Sequence, residues 1–530
     1  MHELRLVART EQADLPRGSY TAVSCTSVRD DIGSGHQVEV LQHQFPTGGP
    51  LRPGTASRLG TSHSVTAYSV TIRASGNQPA GRECKRAPAR RTSSRRGEVS
   101  PLQSSDNSAS PSSSGPGLRK RGSADMTTRE RRPDGRIRPF TVQIPKDALD
   151  DLQRRLAATR WPTGEIASDR SQGVQLAVMQ ALRQYWATQY DGQRVESRLN
   201  ALPQFITEID GVDIHFVHVR SHHRDALPLI MTHGWPGSVI EMLDSVGPLT
   251  DPTTHGGTAQ DAFHLVLPSL PGYGFSGEPA ELGWDLVRTA RAWSELMRRL
   301  GYDRYVAQGG DVGAGVTDAM GRLGPDGLAG IHTNLLVPAL NDPTSLPSDA
   351  EPERAALAAI KTFQTSGNGY FVEMSTRPQT IGYALLDSPA ALAAWMVDHD
   401  TDAYYKIARA FVDGQPSGNL TRDNILDNIT AYWLTGTGAS AARSYWEAYG
   451  PDAPAAGSAP LPPPRVPVGF STFPGEIWRT PRSWAEKAYP TLDYFGEAER
   501  GGHFAAWEEP ELFAAQLRAA FRPLRREGLS

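Results

Sequence analysis

The 530-residue chain has only two cysteines, Cys25 and Cys84, and both lie in its first hundred residues. The rest of the chain lacks thiols, which excludes disulfides, thiolate catalysis and zinc–cysteine sites there. Long apolar runs are missing too. No stretch of about 18 apolar residues occurs, and the first residues lack the apolar core of a secretory signal. We therefore expect no membrane anchor and a cytoplasmic location.

Aromatic residues are scarce at the beginning of the chain. All eleven tryptophans lie at or after Trp161, and the only aromatics before residue 126 are Tyr20, Phe45 and Tyr68. Serine, glycine, proline and arginine dominate this part instead. Such a composition cannot bury enough apolar surface to offset the entropy lost on ordering. We predict that residues 1–125 are mostly disordered, or are an extension upstream of a true start at Met126.

The charge balance gives little attraction to nucleic acid. The formal net charge is −4 at neutral pH, although arginines are concentrated between Arg82 and Arg96. A basic tail that binds nucleic acid would need interleaved aromatics or an accompanying folded module, and the chain has neither around this run. We interpret the run as a solvated tail and expect no nucleic-acid partner.

Helical patterns come before any sheet pattern. The first such pattern lies in "FTVQIPKDALDDLQRRLAATRWP". Its first residues predict extended chain, and the rest predicts an amphipathic helix with Leu149, Leu152 and Leu156 on one face. A second helical stretch follows from Gly173. We interpret residues 126–200 as an N-terminal arm that packs against the domain that follows.

The next part of the chain predicts a sheet. Two alternating segments flank Asp210-Gly211, a strong two-residue hairpin turn. The apolar segments "LPLIMTH", "FHLVLP" and "RYVAQGG" then alternate with helical segments. This rhythm indicates an α/β fold with a mostly parallel, doubly wound sheet and helices on both faces. We assign residues 201–336 to the first part of this core.

The alternation stops between residues 337 and 464, where helical, aromatic-rich sequence takes over. We call this segment the lid, because an insertion between late strands would cover the carboxyl edge of the sheet. The strand "VPVGFSTFP" resumes the core, and the final helix is "PELFAAQLRAAF". Residues 465–530 are therefore assigned to the second part of the core.

The turn "GGDVG", Gly309 to Gly313, follows a predicted strand and precedes a helix. It has the shape of the G-x-S-x-G turn that presents a serine nucleophile, but Asp311 stands in the place of the serine. An ionised carboxylate needs no base to attack, and its natural targets are alkyl carbons. The resulting alkyl ester must be cleaved by activated water. The alternative is that Asp311 only caps the helix.

The other groups for such chemistry occur downstream in the order acid, then histidine. His503 in "ERGGHFAAWEEP" is the candidate base, and Glu476 in "STFPGEIW" is the candidate that orients it. Three other acidic residues compete with Glu476 on position alone: Asp493, Glu497 and Glu499. The candidate oxyanion donors are the backbone amides of Val312 and, within "HGWPGS", of Trp235.

The chain resembles a microsomal-type epoxide hydrolase of the α/β-hydrolase superfamily from about Arg138 to Phe521. The segments that carry the resemblance include "RPFTVQIP", "HGWPGS", "PSLPGYGFSG", "GGDVG", "YFVEMSTRPQTIGYALLDSP", "YWLTGT" and "RGGHFAAWEEPELF". The resemblance implies a nucleophile at Asp311, a base at His503, an acid at Glu476 and two lid tyrosines that protonate the epoxide oxygen. It also implies a small epoxide and water as substrates, a role in detoxification and no cofactor. The apolar character of the lid indicates that the epoxide is hydrophobic.

By motif match the two tyrosines are Tyr370 in "SGNGYFVEMSTRPQT" and Tyr445 in "AARSYWEAYG". A tyrosine hydroxyl is protonated at neutral pH and can donate to a developing alkoxide. The rival lid tyrosines are Tyr383, Tyr432 and Tyr449. A homodimer is compatible with the sequence, which leaves the oligomeric state open.

Two other functions use the same pattern. A dehalogenase would share the aspartate and histidine, but such enzymes often have a tryptophan directly after the nucleophile, where this chain has Val312. A catalytically silent binding protein of this fold is disfavoured because no candidate position is lost.

Metal and cofactor motifs are not evident. "DHDTDA", Asp398 to Ala403, resembles a calcium loop, but Ala403 replaces the required glycine and Arg409 the bidentate glutamate. We interpret it as a solvated turn of the lid. We interpret the pair His222-His223 as lying in a loop with no further ligand nearby. No phosphate loop or dinucleotide fingerprint occurs, so we expect no metal and no cofactor.

Overall fold

The computed structural model describes residues 135–453 and 460–525. These belong to one compact unit, Gly115–Ser530. The predictions for residues 1–125, including the alternative start at Met126, lie outside the described residues.

Nine strands form a single sheet in the spatial order β1-β2-β3-β5-β4-β6-β7-β8-β9. Their bounds are β1 Arg138–Phe140, β2 Gln204–Ile209, β3 Val212–Val219, β4 Leu227–Thr232, β5 Phe263–Pro268, β6 Tyr305–Gly309, β7 Leu328–Thr333, β8 Val468–Thr472 and β9 Leu492–Glu497. The pairs β1–β2, β2–β3 and β3–β5 are antiparallel, and all other pairs are parallel. The predicted α/β class is confirmed.

The α-helices of the described residues are α1 Lys146–Ala157, α2 Leu176–Thr188, α3 Arg194–Asn200, α4 Val246–Thr250, α5 Leu286–Arg299, α6 Val312–Leu323, α7 Pro338–Asn341, α8 Glu351–Thr362, α9 Gly369–Thr376, α10 Pro378–Asp387, α11 Pro389–Val397, α12 Thr401–Ala408, α13 Arg422–Thr435, α14 Gly438–Tyr449, α15 Arg482–Ala488, α16 Ala505–Glu508 and α17 Pro510–Phe521. Short 3₁₀ and π turns connect several of them, including a 3₁₀ segment at Val239–Ser245.

The N-terminal arm contributes a strand to the sheet. The sequence predicted an extended start there but no sheet pairing. In the structure β1 is an edge strand, and Phe140 pairs with Gln204 at the beginning of β2. Three residues are too few for an alternating pattern, so pairing with a distant strand could not be read from the segment itself.

Alternate residues of the central strands enter two separate cores. Ile230 of β4 and Val266 of β5 lie in one apolar cluster together with Trp293 of α5. Their strand neighbours, Leu229 and Leu265 among them, lie in the other cluster with α17. Because side chains alternate between the two sides of a strand, both faces of the sheet are covered. Because both faces are covered, the central strands are apolar along their whole length in the sequence.

The parallel register brings the ends of the central strands to one edge. Thr232 at the end of β4 pairs with Gly309 at the end of β6, and Thr472 at the end of β8 pairs with Glu497 at the end of β9. The segments that follow these four strands therefore start from one edge of the sheet, where open α/β sheets place their sites.

In the described part of the chain between β7 and β8 there are eight α-helices, α7 to α14. One of them, α13, is tied to the arm by a buried carboxylate. Asp427 accepts hydrogen bonds from Tyr190 at 2.8 Å, from Arg194 at 3.0 Å and from Arg198 at 2.8 Å. The domain limits at residues 200, 336 and 464 stay predictions, and the position of these helices between two strands supports them.

No helix in the described ranges combines the length and the apolar character that crossing a membrane requires.

Candidate active site

The backbone at Asp311 is strained. Its φ is 50° and its ψ is −125°, and in the described residues Asp210 of the hairpin turn is the only other non-glycine residue with positive φ. Such a conformation costs on the order of 1–3 kcal/mol and persists where the surroundings enforce it. The strain turns the Asp311 side chain out of the strand direction at the start of α6.

The flanking glycines act by close approach rather than by positive φ. A Cβ on Gly309 would collide with the carbonyl of Gly313, and one on Gly313 would collide with the carbonyl of Thr232. The sequence predicted that glycines permit the bend, and the structure gives the reason: neighbouring backbone fills the space that their side chains would need.

One carboxylate oxygen of Asp311 is held by a backbone amide and a tyrosine hydroxyl. The Trp235 N–H donates to Oδ1 at 2.8 Å, and the Tyr445 hydroxyl donates to the same oxygen at 3.4 Å. Burial raises the pKa of Asp311, but the nearby His503, the charge of His399 and the Val312 amide outweigh it, so the pKa is lowered. Asp311 is therefore ionised at neutral pH. Both predicted amide donors interact with it.

His503 lies between two carboxylates. Its Nδ1 is 2.6 Å from Oε1 of Glu476, and its Nε2 is 3.4 Å from Oδ2 of Asp311. Burial alone would lower the pKa of His503, but the charges of Glu476 and Asp311 raise it well above its usual value. The competing acids lie elsewhere: Glu497 pairs with Arg479 on the surface, Glu499 pairs with Arg500, and Asp493 is exposed.

The two lid tyrosines chosen by motif meet above Asp311. Their ring centroids are 6.1 Å apart, and both side chains are buried. Burial and the negative charge of Asp311 raise the pKa of Tyr370 and of Tyr445 well above the usual value, so both stay protonated.

The rival tyrosines have other surroundings. Tyr432 donates its hydroxyl to the carbonyl of Gly237 at 2.6 Å, and Tyr383 is 70% exposed. Tyr449 packs its ring against those of Tyr445 and Phe371. The geometry favours Tyr370 and Tyr445 as the pair that faces the carboxylate.

The segment "DHDTDA" is not the solvated turn that the sequence suggested. His399 is 2% exposed and Asp400 is 8% exposed. The Nε2 of His399 is 2.8 Å from the Tyr370 hydroxyl and 3.8 Å from Oδ2 of Asp311. A signal was available, because His399 is the single histidine between residues 337 and 464. The interpretation failed because the segment was compared only with a calcium loop.

A cavity lies beside His503 and Asp311. Its lining includes Asp311, His503, Asn334 and Glu241. Within the described residues the Nε2 of His503 and the Oε2 of Glu241 are buried without a hydrogen-bond partner. Burial raises the pKa of Glu241 to about 8, the charge of Asp311 adds to this and the charge of His503 opposes it. Glu241, which no local sequence pattern indicates, gives this cavity a polar wall.

A possible ligand cluster corrects the interpretation of His222-His223. Asp251, distant in sequence, brings its Oδ1 to 3.3 Å from Nε2 of His223 and 4.0 Å from Nε2 of His222. Three ligand atoms thus lie within 4.8 Å of one another. The same holds for Asp311, His399 and His503, where the two imidazoles approach Oδ2 of Asp311 to 3.8 Å and 3.4 Å.

Comparisons with known proteins point in one direction. The profile of the family "Epoxide hydrolase N terminus" matches residues 137–242. Epoxide hydrolase 1 of Sus scrofa is 35% identical over 402 residues, which cover 73% of this chain and 88% of that protein. A Stigmatella aurantiaca protein with a provisional epoxide hydrolase name is 53% identical over 393 residues, covering 73% of this chain and 86% of its own length. The chain belongs to the epoxide hydrolase family.

The structural comparison agrees with this family. The crystal structure of the juvenile hormone epoxide hydrolase from the silkworm Bombyx mori matches with a TM-score of 0.65 at 28% identity, covering 74% of this chain and 96% of that one. The Aspergillus niger epoxide hydrolase matches with a TM-score of 0.61 at 32% identity, covering 73% and 96%. The predicted α/β-hydrolase fold and the predicted family are confirmed.

Proposed function

We propose that this epoxide hydrolase opens a small hydrophobic epoxide with Asp311 and releases a vicinal diol after water cleaves the resulting ester. One observation carries the proposal: the two carboxylate oxygens of Asp311 face different partners. Oδ1 accepts from the Trp235 amide at 2.8 Å, whereas Oδ2 is 3.4 Å from Nε2 of His503. One oxygen is held by a donor and the other is free to attack.

In the first step Oδ2 attacks an epoxide carbon, and the carbon–oxygen bond of the ring breaks. Tyr370 and Tyr445 donate to the departing oxygen, and one of them gives it a proton. The raised pKa values of both hydroxyls keep the protons in place until the alkoxide forms. The product of this step is an alkyl ester on Asp311.

In the second step His503 takes a proton from water in the adjoining cavity, and the oxygen of that water bonds to Cγ of Asp311. The negative charge develops on Oδ1, which the amides of Trp235 and Val312 stabilise. Esterification removes the charge of Asp311, one of the two charges that raise the pKa of His503. The neutral imidazole, the form that can accept a proton from water, is therefore more favoured after the first step than before it.

The cavity beside His503 supports this assignment. It is lined by polar groups of Glu241, Gln308 and Asn334, which can hydrogen-bond a water molecule. A cytoplasmic location and a homodimer stay predictions, as does the hydrophobic character of the epoxide.

A single turnover in oxygen-18 water tests the mechanism. An excess of enzyme is mixed with one epoxide, the diol is quantified, and the peptide with Asp311 is weighed. We expect diol formation with the label in the Asp311 carboxylate, because the attacking water oxygen stays on the enzyme. Label in the diol alone, or no diol with any of a panel of epoxides, would overturn the proposal. Release of halide from a haloalkane instead would favour a dehalogenase.

Replacement of the two central residues separates the steps. Asp311→Ala should abolish diol formation. His503→Gln should still form the ester, visible as a mass increase on the intact protein, and lower the hydrolysis rate by about 10²-fold or more. Turnover of the His503→Gln variant at the wild-type rate would contradict the assignment of the base.

A further inference from the structure

A second histidine–carboxylate pair lies beside the reacting groups. The Nε2 of His399 is 2.8 Å from the Tyr370 hydroxyl, and its Nδ1 is 3.4 Å from Oδ2 of Asp400. The imidazole ring also packs on that of His503, with the centroids 4.7 Å apart. The family chemistry described above gives this pair no task.

The titratable groups that face His399 come from four different segments. They are Tyr370 of α9, Asp311 at the start of α6, His503 after β9 and Asp400 at the start of α12. Two of them are carboxylates, and the pKa of Asp400 is lowered because the hydrogen bond and charge of His399 outweigh its burial. A positive charge on His399 is therefore compensated on both sides of its ring.

The protonation state of His399 decides what Tyr370 can do. If Nε2 carries no proton, it accepts the hydroxyl proton of Tyr370 and holds that proton away from a substrate. If both ring nitrogens are protonated, Nδ1 donates to Asp400 and Nε2 donates to the Tyr370 oxygen. The hydroxyl proton of Tyr370 is then free to point at the epoxide oxygen.

We propose that His399, supported by Asp400, is a positioning and proton-relay residue that orients Tyr370 and restores its proton during ring opening. This inference rests on the proposed function. When Oδ2 of Asp311 attacks the epoxide carbon, the electron pair of the broken bond goes to the ring oxygen, which takes the proton of Tyr370. The Tyr370 oxygen takes a proton from Nε2 of His399, and the imidazole becomes neutral.

The second step returns the proton. His503 takes one proton from water, the water oxygen bonds to Cγ of Asp311, and the bond from Cγ to Oδ2 breaks. The departing alkoxide takes the proton from His503, which completes the diol. The second water proton is left on the new oxygen of the Asp311 carboxyl group and passes to His399. The distance of 3.8 Å between Nε2 and Oδ2 in the resting site makes this transfer local.

The two carboxylate oxygens of Asp400 have different partners, so a substitution can remove one interaction and keep the other. Its Oδ1 accepts from the Ala403 amide at 2.8 Å and caps α12, while its Oδ2 faces His399. Asparagine also caps helices well. Asp400→Asn should therefore keep α12 and remove only the charge beside Nδ1.

The test measures each chemical step by rapid quench with an excess of enzyme, following the ester by intact-protein mass and the diol by chromatography. His399→Gln should lower the rate of ester formation by about tenfold or more, because a proton transfer in the transition state is impaired. The rate of ester hydrolysis should change by less than about threefold. Asp400→Asn should change ester formation in the same direction by a smaller factor.

Measuring the His399→Gln effect in a Tyr370→Phe variant distinguishes a proton-relay role of His399 from a packing role. If His399 acts through the Tyr370 hydroxyl, His399→Gln should change ester formation by less than about twofold once that hydroxyl is absent. A packing defect would persist in both backgrounds and would slow both steps. The matched control is His332→Gln, which removes another buried histidine, bonded to Ser471 at 2.9 Å, and should leave both steps unchanged.

Three results would overturn the inference: ester formation in His399→Gln within about twofold of wild type, equal losses in both steps, or an undiminished loss in the Tyr370→Phe background. If wild type itself forms neither ester nor diol, the proposed function fails first. The thermal midpoint of every variant verifies that it is folded.

Discussion

Gly234 lies against the side chain of the nucleophile. A Cβ at this position would stand 2.7 Å from Cγ of Asp311, well inside contact distance. The residue follows β4 and precedes Trp235, whose amide holds Oδ1 of the same carboxylate. The glycine therefore allows the donor and the nucleophile to come together.

We expect Gly234→Ala to lower ester formation by about 10²-fold, because a misplacement of about 1 Å at the reacting group has effects of this size. The control is Gly164→Ala, where a Cβ would meet only Leu176 at an ordinary 3.8 Å. Single-turnover mass measurements and thermal midpoints are compared for both variants. Near-wild-type ester formation in Gly234→Ala would mean that the carboxylate does not need its observed position.

At the scale of elements, the arm holds the lid through α13. Asp427 is 0% exposed and is shared by Tyr190, which follows α2, and by Arg194 and Arg198 of α3. Its burial raises its pKa even though two arginines act against that shift. Removal of the carboxylate would leave three polar groups without their partner, which is more damaging than loss of an exposed pair.

Asp427→Ala should therefore destabilise the protein by about 3–5 kcal/mol. Asp387→Ala is the matched control, since this aspartate also joins the lid to the arm, at 3.3 Å from Arg155, but is 87% exposed. The control should cost less than about 1 kcal/mol. Urea unfolding at constant pH measures both. Equal losses would show that burial of the pair does not matter.

The arm also illustrates what could be predicted about elements. The helix over Lys146–Ala157 and the hairpin around Asp210-Gly211 follow from local patterns and occur as predicted. The pairing of Phe140 with Gln204 and the contact of Asp427 with α3 join segments that are far apart in the chain. Local patterns contain no information on such partners.

At the scale of the whole molecule, buried carboxyl groups make stability depend on pH. The pKa of Glu241 is raised to about 8 from an ordinary value of 4.5, mainly by burial. Between these values the folded protein keeps the proton that the unfolded chain releases. Unfolding thus releases a proton, and stability falls as the pH rises toward 8. Glu508, whose pKa burial raises to about 7, acts in the same direction.

Glu241→Gln should remove its share of this dependence. The stability of wild type relative to the variant should fall by about 1.4 kcal/mol for each pH unit between about pH 5 and about pH 8. Glu497→Gln, on the surface, controls for the loss of a carboxylate. Urea unfolding across this range measures the slopes. Parallel curves for wild type and Glu241→Gln would contradict a raised pKa at Glu241.

The sequence by itself predicted the chemistry of the reacting group and determined the order of the main-chain elements. "GGDVG" after an apolar strand identifies Asp311, and the strands before Glu476 and His503 end at the edge where Asp311 lies, because parallel strands align their carboxyl ends. These inferences need only local pattern and the general rule for such sheets.

The tertiary structure alone decided which further groups meet Asp311. The folding of the lid brings His399 close to Asp311, and the segment after β4 places Glu241 in the wall of the adjoining cavity. Neither residue has a local sequence pattern that distinguishes it from a solvated residue. Burial and proximity are properties of segments brought together by packing. They change the protonation and the partners of a side chain, and so its chemistry, without any change in the sequence around it.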